Sequence, residues 1–418
     1  MNKIVLLFPG QGSQYVKMGK DLYDEFACAK QVFEEANDVL GFDLKALCFE
    51  GDQKELTKTE NAQPAILTVS VAAYRAYMQE IGVKPICSAG HSLGEYSALT
   101  CSGVIEFCDA VKIVRQRGIF MQEAAMLGTG TMAAIIGLDR KVVEQECKKV
   151  SGGDQVAVIS NYNSPNQYVI SGHREAVKNA SKNLEAMGAV VTPLKVSAPF
   201  HSPIMEGAAK KMKEKLLSYK YNNFQFPVIS NVTAFPYGGL DKVVENLTTQ
   251  IVEPVRWSES MEYVKSLRPD VTVEIGPKTV LNSLMKYNAP NIKCYSSDRS
   301  EDVDEMIKLF EERKADTSIP SLVTRAMAVA VSTRNRNWDN EEYQKGVSEP
   351  YKEIQEMQET IETSGAEPTL EQMKKALEML KSVFTTKKTP TEEQVERFNQ
   401  IFNETGTSHL FQDFEMPS

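Results

Sequence analysis

The stretch AGHSLGEYSAL, Ala89–Leu99, decides how this chain is read. Ser92 stands between Gly90 and Gly94 in the order Gly90-His91-Ser92-Leu93-Gly94, directly after a short apolar run that ends at Cys87. Glycines at those two positions let a strand turn sharply into a helix and lift one side chain clear of the backbone. The pattern predicts a nucleophile elbow, with N–H groups at the start of the following helix free to bind a developing oxyanion. A buried serine in a tight turn satisfies the same pattern, so the rest of the chain has to decide.

Working outward, the segments on either side have α/β character up to about residue 300. Ile4–Phe8 is a continuous apolar run ending at Pro9-Gly10-Gln11-Gly12, which predicts a buried strand stopping at a tight loop. Val228–Val232 and Val271–Ile275 have the same form, the signature of strands buried on both faces of a parallel sheet. Between them the rhythm changes. Strands are expected over Met132–Ile136, Val156–Ser160, Tyr168–Ser171 and Val190–Val196, with helices over Arg140–Val150 and Glu175–Met187. That βαββαβ order is the ferredoxin-like arrangement. The expected organisation is an α/β core over residues 1–126 and 197–315, and a ferredoxin-like subdomain over 127–196. A helical extension follows over 316–418, with apolar residues at helical spacing such as Met373, Leu377, Leu380 and Phe384. A cleft between two subdomains is a common place for a substrate site.

Bulk properties narrow the function classes. The chain has 418 residues, 42% of them hydrophobic and 25% charged, as in an ordinary globular protein. A net charge of −9 argues against a nucleic-acid binder, which carries a surplus of basic residues. The seven cysteines are scattered without a CxxC pair, so neither a disulfide framework nor a metal site is expected, and a reducing cytoplasm fits best. The apolar run near Met1 is too short for a signal peptide, and no stretch of about 18 apolar residues calls for a membrane.

A serine nucleophile needs a base, and four histidines are available. His91 adjoins Ser92 and should point elsewhere. His173 opens a helix in SGHREAV and His409 lies in the extension; His201 in VSAPFHSPIM, in a loop fixed by Pro199 and Pro203, is the best base on position, with a structural histidine in a proline-rich turn as the competing reading. No aspartate stands in a matching strand-end context, so a neutral group is expected to orient the imidazole. An anion receptor is also visible. The helix expected over Glu106–Ala124 places Arg117 within roughly 70° of the centre of its apolar stripe, where a guanidinium is costly unless paired and can hold a carboxylate through two parallel bonds. Snorkelling, or pairing with a nearby acid, explains the same placement. The Gly10–Gln14 loop lacks the ending of a phosphate-binding loop and offers either a second oxyanion donor or a plain turn.

Taken in order, FPGQGSQ (Phe8–Gln14), TENAQPAI (Thr59–Ile66), GHSLGEYSAL (Gly90–Leu99), RGIFMQEA (Arg117–Ala124), GTGTMAAIIG (Gly128–Gly137), NYNSPNQYVISG (Asn161–Gly172), VSAPFHSPIM (Val196–Met205) and EPVRW (Glu253–Trp257) resemble the malonyl-CoA:acyl-carrier-protein transacylase family over about residues 1–300. Within it, the chain is similar to the stand-alone, trans-acting acyltransferases of bacterial polyketide and iturin-type lipopeptide assembly lines. The resemblance implies an α/β-hydrolase-like core. It implies Ser92 as the nucleophile that forms a malonyl ester and His201 as its base. It also implies the N–H groups of Leu93 and Gln11 as the oxyanion hole, Arg117 as the grip on the malonyl carboxylate, and the backbone carbonyl of Gln250 as the group orienting His201. Gln63 is expected to line the same pocket, and Phe200 to favour malonyl over methylmalonyl. The implied partners are malonyl-CoA and an acyl carrier protein or carrier domain, whose phosphopantetheine arm accepts the acyl group, with no resident cofactor, nucleic acid or membrane. A serine thioesterase acting on acyl-CoA or acyl carrier protein is the rival reading. The extension has no counterpart in the resemblance; docking of a synthase or carrier protein, or a purely structural role such as steadying a dimer, is expected of it.

Overall fold

The computed structural model describes residues 3–126, 130–194, 196, 198–316, 321–364, 368–411 and 414–416. Leu127, where the inserted subdomain is expected to begin, lies outside the described residues, as do Gly128, Thr129, Lys195 and Ser197 of the motifs above. The chain folds as two compact units, 1–308 and 309–418, dividing within the helix Ser300–Asp316.

Among the described residues of the first unit, nine strands form two sheets: β1 (Ile4–Phe8), β2 (Cys87–Gly90), β3 (Gly130–Ile136), β4 (Ala157–Ser164), β5 (Gln167–His173), β6 (Val190–Pro193), β7 (Val228–Ile229), β8 (Val271–Glu274) and β9 (Lys293–Ser296). The larger sheet has the order β7-β2-β1-β8-β9 with every pair parallel. Its central strand β1 buries all five side chains, each worth roughly 1.5–3 kcal/mol of transfer free energy. Helices cover both faces, so β1 is apolar along its length instead of alternating. The expected strand Val228–Val232 stops at Ile229 because the chain turns back there: Ala234 N–H bonds Ser230 O and Ser230 N–H bonds Phe235 O. That turn sets Asn231 at the carboxyl end of the sheet, beside the elbow.

The smaller sheet is antiparallel, order β4-β5-β3-β6, with the helices Arg140–Val150 and Arg174–Ala186 packed on it. The strand expected over Val156–Ser160 runs on to Ser164 through two register shifts, at Ile159/Asn161 and Tyr162/Ser164. Such bulges re-aim side chains, and Asn161 and Asn163 end up facing the cavity described below. Strand β6 spans Val190–Pro193, with Leu194 N–H still bonding Met132 O, and Lys195 of the run expected to Val196 lies outside the described residues.

The second unit is a helical bundle with its own apolar centre, including Leu380, Phe384, Phe398 and Ile401. Its longer helices include Glu349–Ser364, Leu370–Thr386 and Thr391–Glu404. Thr369 and Gln372 close a reciprocal cap on the second of them. One further helix, Leu322–Ser332, supplies Leu322, Val323 and Val329 to that centre and was not expected. Its run is apolar nearly all round, so it lacks the stripe that marks an amphipathic helix.

Candidate active site

The elbow follows directly from its glycines. A Cβ on Gly90 would lie 1.9 Å from Gly94 C, and one on Gly94 would lie 2.0 Å from Phe8 O, so backbone packs on backbone and no larger residue fits. The tight turn forces Ser92 to φ 52°, ψ −106°, a conformation costing on the order of 1–3 kcal/mol in any residue but glycine. Two bonds to Asn231 hold it: Ser92 N–H donates to Oδ1 at 2.7 Å and Asn231 Nδ2 donates to Gly90 O at 2.6 Å.

His201 meets Ser92 across the chain, with Nε2 2.8 Å from Ser92 Oγ. It also has a positive φ, 56°, and is 4% exposed. Its Nδ1 lies 2.6 Å from the carbonyl oxygen of Gln250. A carbonyl only accepts, so Nδ1 carries the proton and Nε2 presents its lone pair to the serine hydroxyl. Gln250 caps the C-terminus of the helix Asp241–Thr249, where carbonyls lack intrahelical partners and carry partial negative charge. A helix end thus stands where an aspartate would orient the ring. Burial, and then the charge of Arg117, pull the His201 pKa down to about 3, so the imidazole is neutral and ready to accept a proton.

Arg117 lies in the helix Phe107–Met126 and is 1% exposed. Nη1 donates to Gln63 Oε1 at 2.9 Å, and Nη2 donates to Gln250 Oε1 at 3.0 Å and to Ser92 Oγ at 3.3 Å. The face of Tyr96 lies 5.3 Å from the guanidinium carbon. Among the described residues no carboxylate comes within ion-pair distance, and Nε has no hydrogen-bond partner. Neither snorkelling nor pairing with an acid accounts for this arginine; it is a buried cation lacking an anion, beside the nucleophile. Burial lowers its pKa, yet a guanidinium keeps its proton.

These groups converge on a cavity of about 320 Å³ between the two sheets of the first unit. Gln11, Ser92, Arg117, Phe200 and His201 line it from the core, and Asn161, Asn163, Val169 and Leu194 from the smaller sheet. The N–H groups of Gln11 and Leu93 have no acceptor among the described residues, and Leu93 is the first residue of its helix, whose positive end favours an anion. Gln63 is fully buried behind Arg117, where it holds the guanidinium; it does not stand at the cavity wall where the sequence reading put it. His91 points away from Ser92, its Nε2 2.9 Å from Asn163 Oδ1 and its ring 5.4 Å from that of Trp257. His173 Nδ1 accepts Val156 N–H at 2.9 Å and belongs to the smaller sheet.

Sequence reasoning missed Asn231, Glu95 and Tyr237, and with them the use of the Gln250 side chain. Glu95 was detectable in principle, as the one charged residue in the helix LGEYSALTC. Among the described residues no cluster of His, Cys, Asp and Glu could hold a metal ion, and no helix is long and apolar enough to cross a membrane.

Comparison with known proteins agrees with this geometry. The family model for the acyl transferase domain matches residues 5–301. The chain is 43% identical over 381 residues to a malonyl CoA-acyl carrier protein transacylase of Bacillus subtilis, covering 90% of this chain and 94% of that protein. It is 44% identical over 287 residues to one of Escherichia coli K12, covering 68% of this chain and 93% of the other. Among solved structures, it superposes on a malonyl-transacylase in complex with its type II polyketide-synthase acyl-carrier protein with a TM-score of 0.71 at 40% identity, covering 73% of this chain and 99% of that one. The malonyl CoA-acyl carrier protein transacylase of Coxiella burnetii gives 0.71 at 37%, covering 73% and 97%. The first of these alignments is longer than the 308-residue first unit, so the likeness runs into the helical extension, which does have a counterpart.

Proposed function

The chain belongs to the acyl transferase family, among its malonyl-CoA:acyl-carrier-protein transacylases, and from that premise we propose that it moves malonyl from malonyl-CoA to the phosphopantetheine thiol of a carrier protein through an ester on Ser92. The observation that carries this reading is the contact of Ser92 Oγ with both His201 Nε2, at 2.8 Å, and the carboxylate-free guanidinium of Arg117, at 3.3 Å.

In the first half-reaction, Ser92 Oγ attacks the thioester carbonyl while His201 Nε2 takes its proton. The oxyanion is held by the N–H groups of Leu93 and Gln11. The tetrahedral adduct collapses with loss of the coenzyme A sulfur, which takes the proton from His201 and leaves a malonyl ester. In the second half, the carrier thiol gives its proton to His201 and attacks the ester carbonyl, and Ser92 recovers the proton as it departs. The Gln250 carbonyl stabilises the imidazolium in both halves. One thioester replaces another, so what the site must supply is a covalent way-station and recognition of the acyl group. Recognition falls to Arg117, whose bidentate grip on the free malonyl carboxylate is worth about 1.5–3 kcal/mol over an acyl group without one. Phe200 at the cavity wall limits substitution at the malonyl α-carbon.

The parallel sheet is read as an α/β-hydrolase-like core and β3–β6 with their two helices as a ferredoxin-like insertion, on the strength of the βαββαβ order. Service in trans to a polyketide or lipopeptide assembly line, in the cytoplasm and without a resident cofactor, fits the free thiols of all seven cysteines and the similarity to the polyketide malonyl-transacylase. A thioesterase would use the same Ser92 and His201, but the carboxylate receptor and the family favour transfer. Peptide mapping after brief exposure to malonyl-CoA tests the assignment: the malonyl mass is expected on the peptide containing Ser92 and absent from Ser92→Ala. A malonyl group found on any other residue would overturn it.

A further inference from the structure

We propose that Glu95 is the positioning residue that keeps nucleophile, base and carboxylate receptor in register, by anchoring the backbone of Asn231 and the side chain of Gln250. It lies three residues past Ser92 and is completely buried, outside the reacting pair. Its Oε2 accepts from Gln250 Nε2 at 2.7 Å and from Asn231 N–H at 3.1 Å, while Oε1 accepts from the Tyr237 hydroxyl.

Each anchored residue in turn holds working parts. Asn231 brackets the elbow, bonding Ser92 N–H on one side and Gly90 O on the other. Gln250 does more. Its Nε2 also donates to Ser92 O at 2.9 Å, its Oε1 accepts from Arg117 Nη2, and its backbone carbonyl orients His201. Ser92, His201 and Arg117 are therefore each one residue removed from a single carboxyl group. Tyr237, Gln250, Asn231 and the Ser230 hydroxyl converge on it, and a carboxylate suits them because it only accepts, with sites for about four bonds. Burial pushes the Glu95 carboxyl up to about 7, against the pull of its donors, so the group is retained at a cost that the network offsets.

The acyl-transfer half of the test rests on the function proposed above; the other half does not. Full-length wild type, Glu95→Met and Glu95→Gln are compared in two ways: the rate of Ser92 labelling by a fluorophosphonate, and the ratio of acylation by malonyl-CoA to that by acetyl-CoA. Methionine fills the volume but removes the acceptors. Glu95→Met is expected to label roughly 10- to 100-fold more slowly and to show a lowered malonyl/acetyl ratio. Glu95→Gln, whose amide oxygen still serves Gln250 and Asn231, stays within a few-fold of wild type on both. A Glu95→Met protein that melts cooperatively and labels at the wild-type rate, or that keeps the wild-type ratio, overturns the proposal. If Glu95→Met does not fold, Gln250→Leu decides, since it cuts Glu95 off from Arg117 but spares the carbonyl under His201. Its malonyl/acetyl ratio must fall about tenfold, and an unchanged ratio overturns the proposal. Should wild type take up neither acyl group, the functional reading fails while the labelling comparison still decides the role of Glu95.

Discussion

Removing Arg117 should invert acyl preference instead of abolishing acyl transfer. The guanidinium is 1% exposed, is held by Gln63 and Gln250, and has no carboxylate partner among the described residues. In the Michaelis complex it would form a buried ion pair with malonyl, and truncating one member of such a pair costs about 3–5 kcal/mol because the other charge is left stranded. At about 1.4 kcal/mol per decade, Arg117→Ala should lower kcat/KM for malonyl-CoA by roughly 10²- to 4 × 10³-fold. Acetyl-CoA has no carboxylate to strand, so its acylation should hold or rise. The assay is the time course of the acyl-enzyme by intact mass spectrometry, with each acyl-CoA offered separately. Parallel losses for malonyl and acetyl would refute the reasoning, because they would make Arg117 a general support of the site.

The charge of Arg117 also helps to hold His201 near pKa 3, so in Arg117→Ala the acid limb of the acetyl-transfer pH profile should move to higher pH; an unmoved limb would detach the two residues. Phe200→Ala should raise methylmalonyl transfer relative to malonyl by about tenfold, the worth of one methyl group, measured by competition between the two acyl-CoAs. Burial raises Glu274 to about 8, against a usual 4.5, although Leu281 and Asn282 N–H donate to it. The folded state then binds a proton that the unfolded state has released, so stability falls as pH rises from about 4.5 through 8. Urea unfolding of Glu274→Gln should show a smaller loss between pH 5 and pH 9 than wild type. Gly94→Ala should fail to label with a fluorophosphonate or fail to fold, since its Cβ would lie 2.0 Å from Phe8 O.

Much of this site was legible because its chemistry is written in short local patterns. The glycines around Ser92 announce the elbow, the prolines around His201 fix a loop, and Arg117 stands out as a cation near an apolar stripe. The orienting carbonyl of Gln250 was not legible from local pattern, because any residue has a carbonyl and only the end of the helix Asp241–Thr249 makes this one available; the family resemblance supplied it. Glu95, Asn231 and Tyr237 were missed for a related reason. Their partnership spans more than 130 residues and depends on the turn that ends β7 at Ile229, which the apolar run Val228–Val232 does not reveal. The same limit explains the fold. The continuous apolar run Ile4–Phe8 was expected with its observed bounds, while the run Val271–Ile275 ends one residue earlier, at Glu274. The short edge strand Lys293–Ser296 has no such run and was not anticipated.

The central claim is transfer to a carrier thiol through Ser92, and partitioning of the acyl-enzyme tests it most directly. Malonyl-loaded protein, freed of excess malonyl-CoA, is mixed with a phosphopantetheinylated acyl carrier protein, and both masses are followed in time. Loss of the malonyl mass from the enzyme with matching gain on the carrier, far faster than loss to buffer alone, is the predicted result. Decay to free malonate at the same rate with or without the carrier would contradict the account and make the protein a thioesterase.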